Sequence, residues 1–362
     1  MNTRSILMAG LAAAFALSAG SHSGTAAASK DGRPTLAVTM TNDPSGNRIN
    51  VYDASSLTLL QTLSTNGAGG ASGNAHGVRQ YAGKLVAVVN YGSNSVSIFK
   101  RDGDRLKLDR VVTTTSAPVS VDFGSGHMYV AGATTVDSFV MHGQSVGQRD
   151  GSASLRIAEG GPPPANSTAQ VGAVDDDTLL VTLKTDPTPG TVDVVALYKG
   201  IITGTPPAAV SAPVNTLTPF GFAVYPDGTA AITLAHSNQD GLFRDGAFVA
   251  TIGAGQNAPC WMTRFDKYLF TANTASRTIS RLVGTGNNIF VDNPVAASIP
   301  TGGAPSDIDA AGDALAVIDR AGTTSHLSVY DLNEFGELSA VRTATVGPSA
   351  NGVAIMPSPD DD

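Results

Sequence analysis

The chain has 362 residues and a formal net charge of −8, with 22 basic against 30 acidic side chains. This acidic balance argues against a nucleic-acid partner, which would need a stripe of Lys and Arg. A single cysteine excludes an internal disulfide, so the fold must be held together by packing. Abundant Gly (40) and Pro (20), between short runs of Val, Ile, Thr and Ala, indicate an all-β protein with many tight turns.

The N-terminus has the pattern of an export signal. Arg4 precedes an apolar stretch from Ile6 to Ala19, and Ala26-Ala27-Ala28 offers a cleavage site of small residues. The stretch is too short for a membrane span, and no other candidate span is present. We therefore expect a signal peptide over residues 1–28 and one exported domain over 29–362, secreted or periplasmic, with a short acidic tail over 358–362.

A unit of roughly 40 to 50 residues then repeats seven times. Counted from the second residue of each opening, the steps are 42, 52, 49, 40, 46 and 46 residues. Periods of this size, made of short β-runs and turn residues, are typical of radial β-propellers. The openings are Ala75-His76, Ala117-Pro118, Ala169-Gln170, Thr218-Pro219, Ala258-Pro259, Ala304-Pro305 and Ala350-Asn351.

The two ends of the chain are predicted to complete one blade together. The first β-run, Leu36–Thr41, matches the second strand of a repeat, and Gly352–Met356 supplies the missing first strand. Strands from both termini in one blade would leave no free sheet edge at the seam. The sequence thus predicts an all-β, seven-bladed β-propeller with four-stranded antiparallel blades.

Three segments carry a resemblance to known propellers. The run Val89–Phe99 followed by Asp102-Gly103 resembles the seven-bladed propellers of the 6-phosphogluconolactonase and muconate-lactonizing type. The turn from Tyr330 to Leu338 fits the same family. Arg48–Asp53 with Leu59–Leu63 is more similar to the YVTN-repeat propellers of microbial surfaces. The resemblance supports the architecture, whereas chemistry must be argued from the site itself.

The resemblance implies that His and Arg side chains from several first strands lie at the channel mouth, as in lactonase-type propellers. There they orient an anionic lactone and activate water. His76 stands at one such position. The corresponding positions in the next two blades fall within Ala117–Val119 and Ala169–Val171, which contain no ionisable residue. This departure from the family pattern favours binding over hydrolysis.

If the site is catalytic, opening a lactone needs a base for water and a positive or hydrogen-bonding group for the oxyanion. His76, with an ordinary pKa of about 6.5, is the candidate base, and Arg264 and Asp307 are its candidate partners. Each of these residues could instead have a structural role. His76 could bond to backbone, and Arg264 could pair with an Asp of a neighbouring blade. Asp307 and Asp309 could bond to the backbone between blades. Candidate ligand-binding residues, convergent on the channel, are Asp122, Asp309, Trp261 and Asn351.

Two functions follow. The first is an exported propeller that binds a small molecule, a glycan or a surface protein at the channel mouth without catalysis. The second is a lactonase-type hydrolase that opens a sugar lactone or related cyclic ester through His76. The few His residues have no zinc-type spacing, and Asp175-Asp176-Asp177 has the position of a solvated turn. We expect no metal, no cofactor and a monomeric protein.

Overall fold

The computed structural model describes residues 34–71, 73–156, 168–184 and 190–358. The expected signal peptide, residues 1–28, and all but the first residue of the tail lie outside these ranges. Within them the chain forms seven antiparallel sheets. The innermost strands of successive sheets contact one another around a closed ring. The predicted seven-bladed propeller is therefore confirmed.

Strands are numbered in chain order, and the blades follow the same order from the one that contains β1. The first blade contains β29 (Asn351–Met356), β1 (Leu36–Met40), β2 (Arg48–Asp53) and β3 (Leu59–Ser64). The second contains β4 (Val78–Tyr81), β5 (Leu85–Asn90), β6 (Ser95–Asp102) and β7 (Arg105–Thr113). The third contains β8 (Pro118–Gly124), β9 (His127–Gly132), β10 (Thr135–His142) and β11 (Ser145–Ser154).

The fourth blade contains β12 (Thr168–Ala173), β13 (Thr178–Leu183), β14 (Thr191–Tyr198), β15 (Ile201–Ile202) and β16 (Ala208–Ser211). The fifth contains β17 (Pro219–Val224), β18 (Ala230–Leu234), β19 (Gln239–Arg244) and β20 (Ala247–Ile252). The sixth contains β21 (Pro259–Phe265), β22 (Tyr268–Asn273), β23 (Thr278–Thr285) and β24 (Asn288–Ser298). The seventh contains β25 (Ala304–Ala311), β26 (Ala314–Ala321), β27 (Thr324–Leu332) and β28 (Leu338–Val346).

The two termini share the first blade, as predicted. β29 pairs antiparallel with β1, with Ala354 opposite Val38, and β1 pairs in turn with β2. No helix in the described ranges has the length and apolarity needed to span a bilayer.

The fourth blade departs from the four-strand pattern at its outer edge. β15 pairs with one end of β14 and β16 with the other, so two short strands occupy one position. Pro206 and Pro207 lie between them. Proline has no backbone N–H to donate to a sheet ladder, so a continuous outer strand cannot form there.

The core lies between adjacent blades. All residues of β1, β5 and β9 are buried, because each second strand is covered on both faces by neighbouring sheets. Outer strands such as β3 alternate in exposure instead. Large side chains such as Phe99, Tyr129 and Phe270 fill the spaces between blades, and each contributes roughly 1.5–3 kcal/mol by its burial.

Asn90 and Asn273 end the second strands of two blades and play the same structural role. The Nδ2 group of Asn90 donates to Ser97 Oγ at 2.8 Å, and that of Asn273 donates to Ser280 Oγ at 2.8 Å. Both side chains thus tie a second strand to the third strand across the turn.

Candidate functional site

The segment Gly73–Gly77, which we call the plug, crosses the ring before β4 begins. The Ala75 amide donates to the Ala169 carbonyl of the fourth blade at 3.1 Å. The Asn74 Nδ2 group donates to the Val119 carbonyl of the third blade at 2.7 Å. The Lys184 ammonium donates to the Gly73 carbonyl at 2.6 Å. These bonds to separate blades hold the plug across the channel at the end where the first strands begin.

Trp261 and Asn351, two predicted ligand-binding residues, both contact the plug. Trp261 Nε1 donates to the Asn74 carbonyl at 3.0 Å, and Asn351 Nδ2 donates to Asn74 Oδ1 at 2.5 Å. The Trp261 ring packs edge-on against Phe220 with ring centres 5.2 Å apart. Neither residue lines the central cavity described below. The structure therefore places both where they support the plug.

The plug delivers His76 into the channel in an unusual backbone conformation. Its φ is +55°, in the left-handed region that most side chains avoid. Its carbonyl accepts a hydrogen bond from the Val121 amide at 3.0 Å. The side chain is buried, and neither ring nitrogen has a hydrogen-bond partner within the described chain. Burial, reinforced by Arg79, holds the His76 pKa well below 6.5, so the imidazole is neutral at pH 7.

A cavity of about 320 Å³ lies in the channel next to this imidazole. Val174, Tyr225 and Pro226, which directly follow β12 and β17, form part of its wall. The cavity therefore opens beyond the ends of the first strands, on the side opposite the plug. The ionisable residues that line it are His76, Arg79, Asp122, Tyr225 and Arg264.

Arg79 links three blades at the wall of this cavity. Its Nε lies 3.1 Å from Asp122 Oδ1 and its Nη1 lies 3.3 Å from Asp309 Oδ1. Burial alone would lower the Arg79 pKa, but the two carboxylates raise it above its ordinary value. Arg79 is not among the site residues predicted from the sequence. Its position three residues after His76, on a first strand, was the available signal.

Arg264 lines the same cavity as His76, as the hydrolase hypothesis requires. Its Nε donates to the Val224 carbonyl at 2.9 Å, and its Nη1 donates to the Asp266 carbonyl at 2.6 Å. The guanidinium also lies 5.7 Å from the centre of the Tyr225 ring. Within the described ranges no carboxylate pairs with it, so its charge is uncompensated. The ion pairs that the sequence suggested for Arg264 are made by Arg79 instead.

Asp307 and Asp309 bond the backbone of the next blade, which was the structural alternative. Asp307 Oδ2 accepts from the Val353 amide at 3.1 Å, and Asp309 Oδ2 accepts from the Ile355 amide at 2.8 Å. Burial raises the pKa of Asp307 to about 8 and also raises that of Asp309. Asp307 does not line the cavity. Side chains on β25 thus accept hydrogen bonds from backbone amides at the channel-facing edge of β29, which has no further strand to pair with.

Asp122 and Gln170 repeat this arrangement in the third and fourth blades. Asp122 Oδ2 accepts from the Ala173 amide at 3.3 Å, while its Oδ1 holds Arg79. The Gln170 side chain exchanges two hydrogen bonds with the Phe222 backbone, at 2.7 and 2.9 Å. Gln170 occupies the position in the repeat that corresponds to His76, and its amide group hydrogen-bonds the backbone of the next blade.

In the described part of the chain no group of three or more His, Cys, Asp or Glu residues could hold a metal ion. Asp175–Asp177 lie in the turn between β12 and β13, where the Asp175 side chain accepts the Asp177 amide. Burial raises the pKa of the Cys260 thiol, which makes it a poor nucleophile.

Solved structures of several other proteins share this propeller architecture. Neither known protein families nor curated proteins give a sequence match. The periplasmic gluconolactonase of Pseudomonas aeruginosa superposes with a TM-score of 0.63 at 15% identity, over 89% of this chain and 99% of that one. A candidate 6-phosphogluconolactonase from Bacteroides uniformis gives 0.64 at 17% identity, over 89% and 100%.

Virginiamycin B lyase from Staphylococcus aureus is a more distant match, with a TM-score of 0.54 at 13% identity, over 75% of this chain and 84% of that one. At such low identities the likeness establishes the fold. The chain is thus a seven-bladed β-propeller, as its repeats predicted. Its function has to be argued from its own cavity.

Proposed function

We propose that this propeller binds a small, oxygen-rich anion in the central cavity, such as a sugar acid, without catalysing a reaction. The observation that carries the proposal is the His76 ring, which is buried beside the cavity and whose nitrogens hydrogen-bond no residue that the structure describes. A buried polar group normally has a partner, and leaving one without costs about 1–3 kcal/mol. A bound ligand would supply that partner.

The charge on the cavity wall supports an anionic ligand. Asp122 and Asp309 neutralise Arg79, whereas Arg264 has no carboxylate partner within the described residues. A carboxylate on the ligand would gain a charge-assisted hydrogen bond from Arg264. The neutral His76 ring offers one donor and one acceptor to the hydroxyl groups of such a ligand.

The binding proposal is tested by isothermal titration with a matched pair of ligands, D-gluconate and D-glucitol, which share a carbon chain but differ in the carboxylate. We expect gluconate to bind and glucitol to bind at least ten times more weakly. Arg264→Gln should weaken gluconate binding on the order of tenfold or more. Equal binding of the two ligands, or none, would refute the proposal.

Lactone hydrolysis is the second candidate, favoured because a neutral imidazole and two guanidinium groups line one cavity. His76 would take a proton from water while the water oxygen attacks the carbonyl carbon. Arg264 would stabilise the oxyanion, and the ring C–O bond would break as the leaving oxygen regains the proton. Binding is preferred because a base with so low a pKa is weak, and because no described residue orients the His76 ring through a hydrogen bond.

The two candidates are separated by proton release in a pH-stat, with glucono-δ-lactone as substrate. A rate above that of the buffer that disappears in His76→Asn would establish the hydrolase. A rate equal to that of the buffer, with gluconate binding intact, would support the binding protein.

We also propose that the chain is exported and acts outside the cytoplasm. The apolar stretch at its N-terminus supports this, and detection of the mature protein in culture supernatant or periplasmic extract tests it.

A further inference from the structure

A second cavity adjoins the central one on the face opposite the plug. It also has a volume of about 320 Å³, and it lies between the fifth and sixth blades. Tyr225 and Pro226 line both cavities. These two residues therefore form a shared wall, and a ligand that fills the central cavity can extend past them. We call the second cavity the groove; it is lined by Tyr225, Pro226, Asp227, Thr229, Gly284, Thr285 and Gly286.

Thr229 provides the evidence that the groove takes a ligand. Its side chain is buried, with 4% of the residue exposed, and its Oγ1 makes no hydrogen bond within the described chain. The hydroxyl is near enough to Asp227 to help lower that residue's pKa, but it does not meet hydrogen-bond geometry. It is a second buried and unpartnered polar group, next to a cavity, on the same face of the propeller.

The wall between the two cavities is rigid. The Tyr225 hydroxyl donates to the Lys267 carbonyl at 3.1 Å and accepts from the Gly284 amide at 2.9 Å. A Cβ atom at Gly284 would lie 3.0 Å from the Tyr225 ring, so the glycine permits this close approach. The aromatic ring is thus fixed in place before any ligand arrives, which reduces the entropic cost of binding.

The chemistry of the groove matches a sugar ring. Tyr225 and Pro226 present an apolar surface, while the Thr229 hydroxyl and the Asp227 carboxylate offer hydrogen-bonding groups. The Thr229 backbone amide donates to Asp227 at 3.1 Å and lowers its pKa, so this carboxylate is charged at neutral pH. A pyranose has apolar C–H faces and a rim of hydroxyl donors, which suit such a mixed wall.

We propose that the groove is a second subsite, which takes the sugar ring next to the one held beside His76. The preferred ligand is then a disaccharide acid, with its carboxylate-bearing unit in the central cavity and its second ring against Tyr225 and Thr229. This inference rests on the proposed binding function, because the first unit must occupy the central cavity.

Titration with gluconate and maltobionate tests the subsite, since maltobionate is gluconate that carries a glucose ring on O4. We expect maltobionate to bind about tenfold more tightly. Thr229→Val keeps the shape of the side chain and removes its hydroxyl. It should reduce this advantage several-fold and leave gluconate binding unchanged.

Thr178→Val is the matched control. Thr178 comes after the first strand of the fourth blade, in the same place that Thr229 has in the fifth blade. In each case the threonine carbonyl accepts a hydrogen bond from the amide four residues earlier, which is Val174 for Thr178 and Tyr225 for Thr229. Thr178 lines neither cavity, so its substitution should change neither affinity.

The outcomes separate the two proposals. Equal affinity for gluconate and maltobionate in the wild type would overturn the subsite and leave the proposed function standing. An advantage for maltobionate that survives Thr229→Val undiminished would also overturn it, because the ring would then lie elsewhere. Failure of both ligands to bind would overturn the proposed function, and the subsite with it.

Discussion

Arg79 Nη1 lies 3.3 Å from Asp309 Oδ1, although 230 positions separate the two residues in the chain. Arg79 belongs to the second blade and Asp309 to the seventh, so this ion pair spans the blade that both termini complete. The Asp309 carboxylate also accepts the Ile355 amide in that closing blade. One guanidinium and one carboxylate therefore join three consecutive blades at the seam of the ring.

Replacement of Arg79 by Met should destabilise the fold by about 2–4 kcal/mol, because it leaves two carboxylates in the channel without their cation. Urea unfolding measures this change. Arg342→Met is the matched control, since Arg342 pairs with Asp331 where both side chains are about a third or more exposed. Loss of the Arg342–Asp331 ion pair should lower the free energy of unfolding by less than about 1 kcal/mol. Similar costs for the two variants would contradict a special role for the seam.

The backbone at His76 predicts how substitutions there will differ. His76→Ala and His76→Asn both remove the imidazole and should abolish gluconate binding. At φ +55°, Ala is strained by about 1–2 kcal/mol, whereas Asn tolerates this conformation. Thermal unfolding should therefore show His76→Ala less stable than His76→Asn. If His76→Asn binds gluconate as the wild type does, the ring does not contact the ligand.

Stability should decrease between pH 5 and pH 8. Burial raises the pKa of Asp193 to about 6, of Asp240 to about 7 and of Asp307 to about 8. Each group holds its proton more tightly when folded than when unfolded, so its contribution is complete below pH 4 and is lost as the pH rises through the folded pKa.

Asp240→Asn should flatten this profile between about pH 4 and pH 7, because the amide does not titrate. Urea midpoints measured at half-unit steps of pH would show the difference. Carboxylates with lowered pKa, such as Asp53, lose their contribution only below about pH 4. His76 acts in the opposite direction, because its lowered pKa adds stability as the pH rises towards 6.5, but the three buried carboxyl groups outweigh this single group. An unchanged slope in Asp240→Asn would mean that this carboxyl titrates normally.

Trp261→Phe should loosen the plug. It removes the Nε1 donor to the Asn74 carbonyl and should cost about 1 kcal/mol. Hydrogen exchange at the Ala75 amide, which bonds Ala169, should then become faster. Tyr330→Phe removes a comparable donor, to the Ser298 carbonyl and not to the plug, and should leave exchange at Ala75 unchanged. Equal protection of Ala75 in both variants would show that Trp261 does not hold the plug.

The architecture was predictable because each blade is specified locally. Short apolar runs, turn residues and a regular period recur within every 40 to 52 residues, and the second residue of each predicted opening lies within two residues of the start of a first strand. The same pattern showed that the β-run near the N-terminus is a second strand without a first strand, and that the last β-run is a first strand that can complete its blade. Even the paired roles of Asn90 and Asn273 follow from their repeated place in the unit.

The candidate site was only partly predictable. The repeat phase brought His76, Arg264 and Asp122 to the channel, and the structure places all three on one cavity. The phase does not tell whether a polar side chain faces the cavity or bonds the next blade, as Asp307 and Gln170 do. That choice depends on which backbone amides the neighbouring first strand leaves unpaired.

The repeat, the number of blades and the shared closing blade could be read from the chain's own pattern, because they depend on contacts within or between adjacent units. The plug, the cavity and the groove exist only in the folded ring. The plug and the central cavity form where residues of several blades meet around the axis, and the groove forms between turns of the fifth and sixth blades. Such meetings depend on the geometry of the ring, which no local pattern encodes. Arg79 acquires its role through carboxylates of two other blades, and Thr229 through a hydroxyl that no described residue hydrogen-bonds.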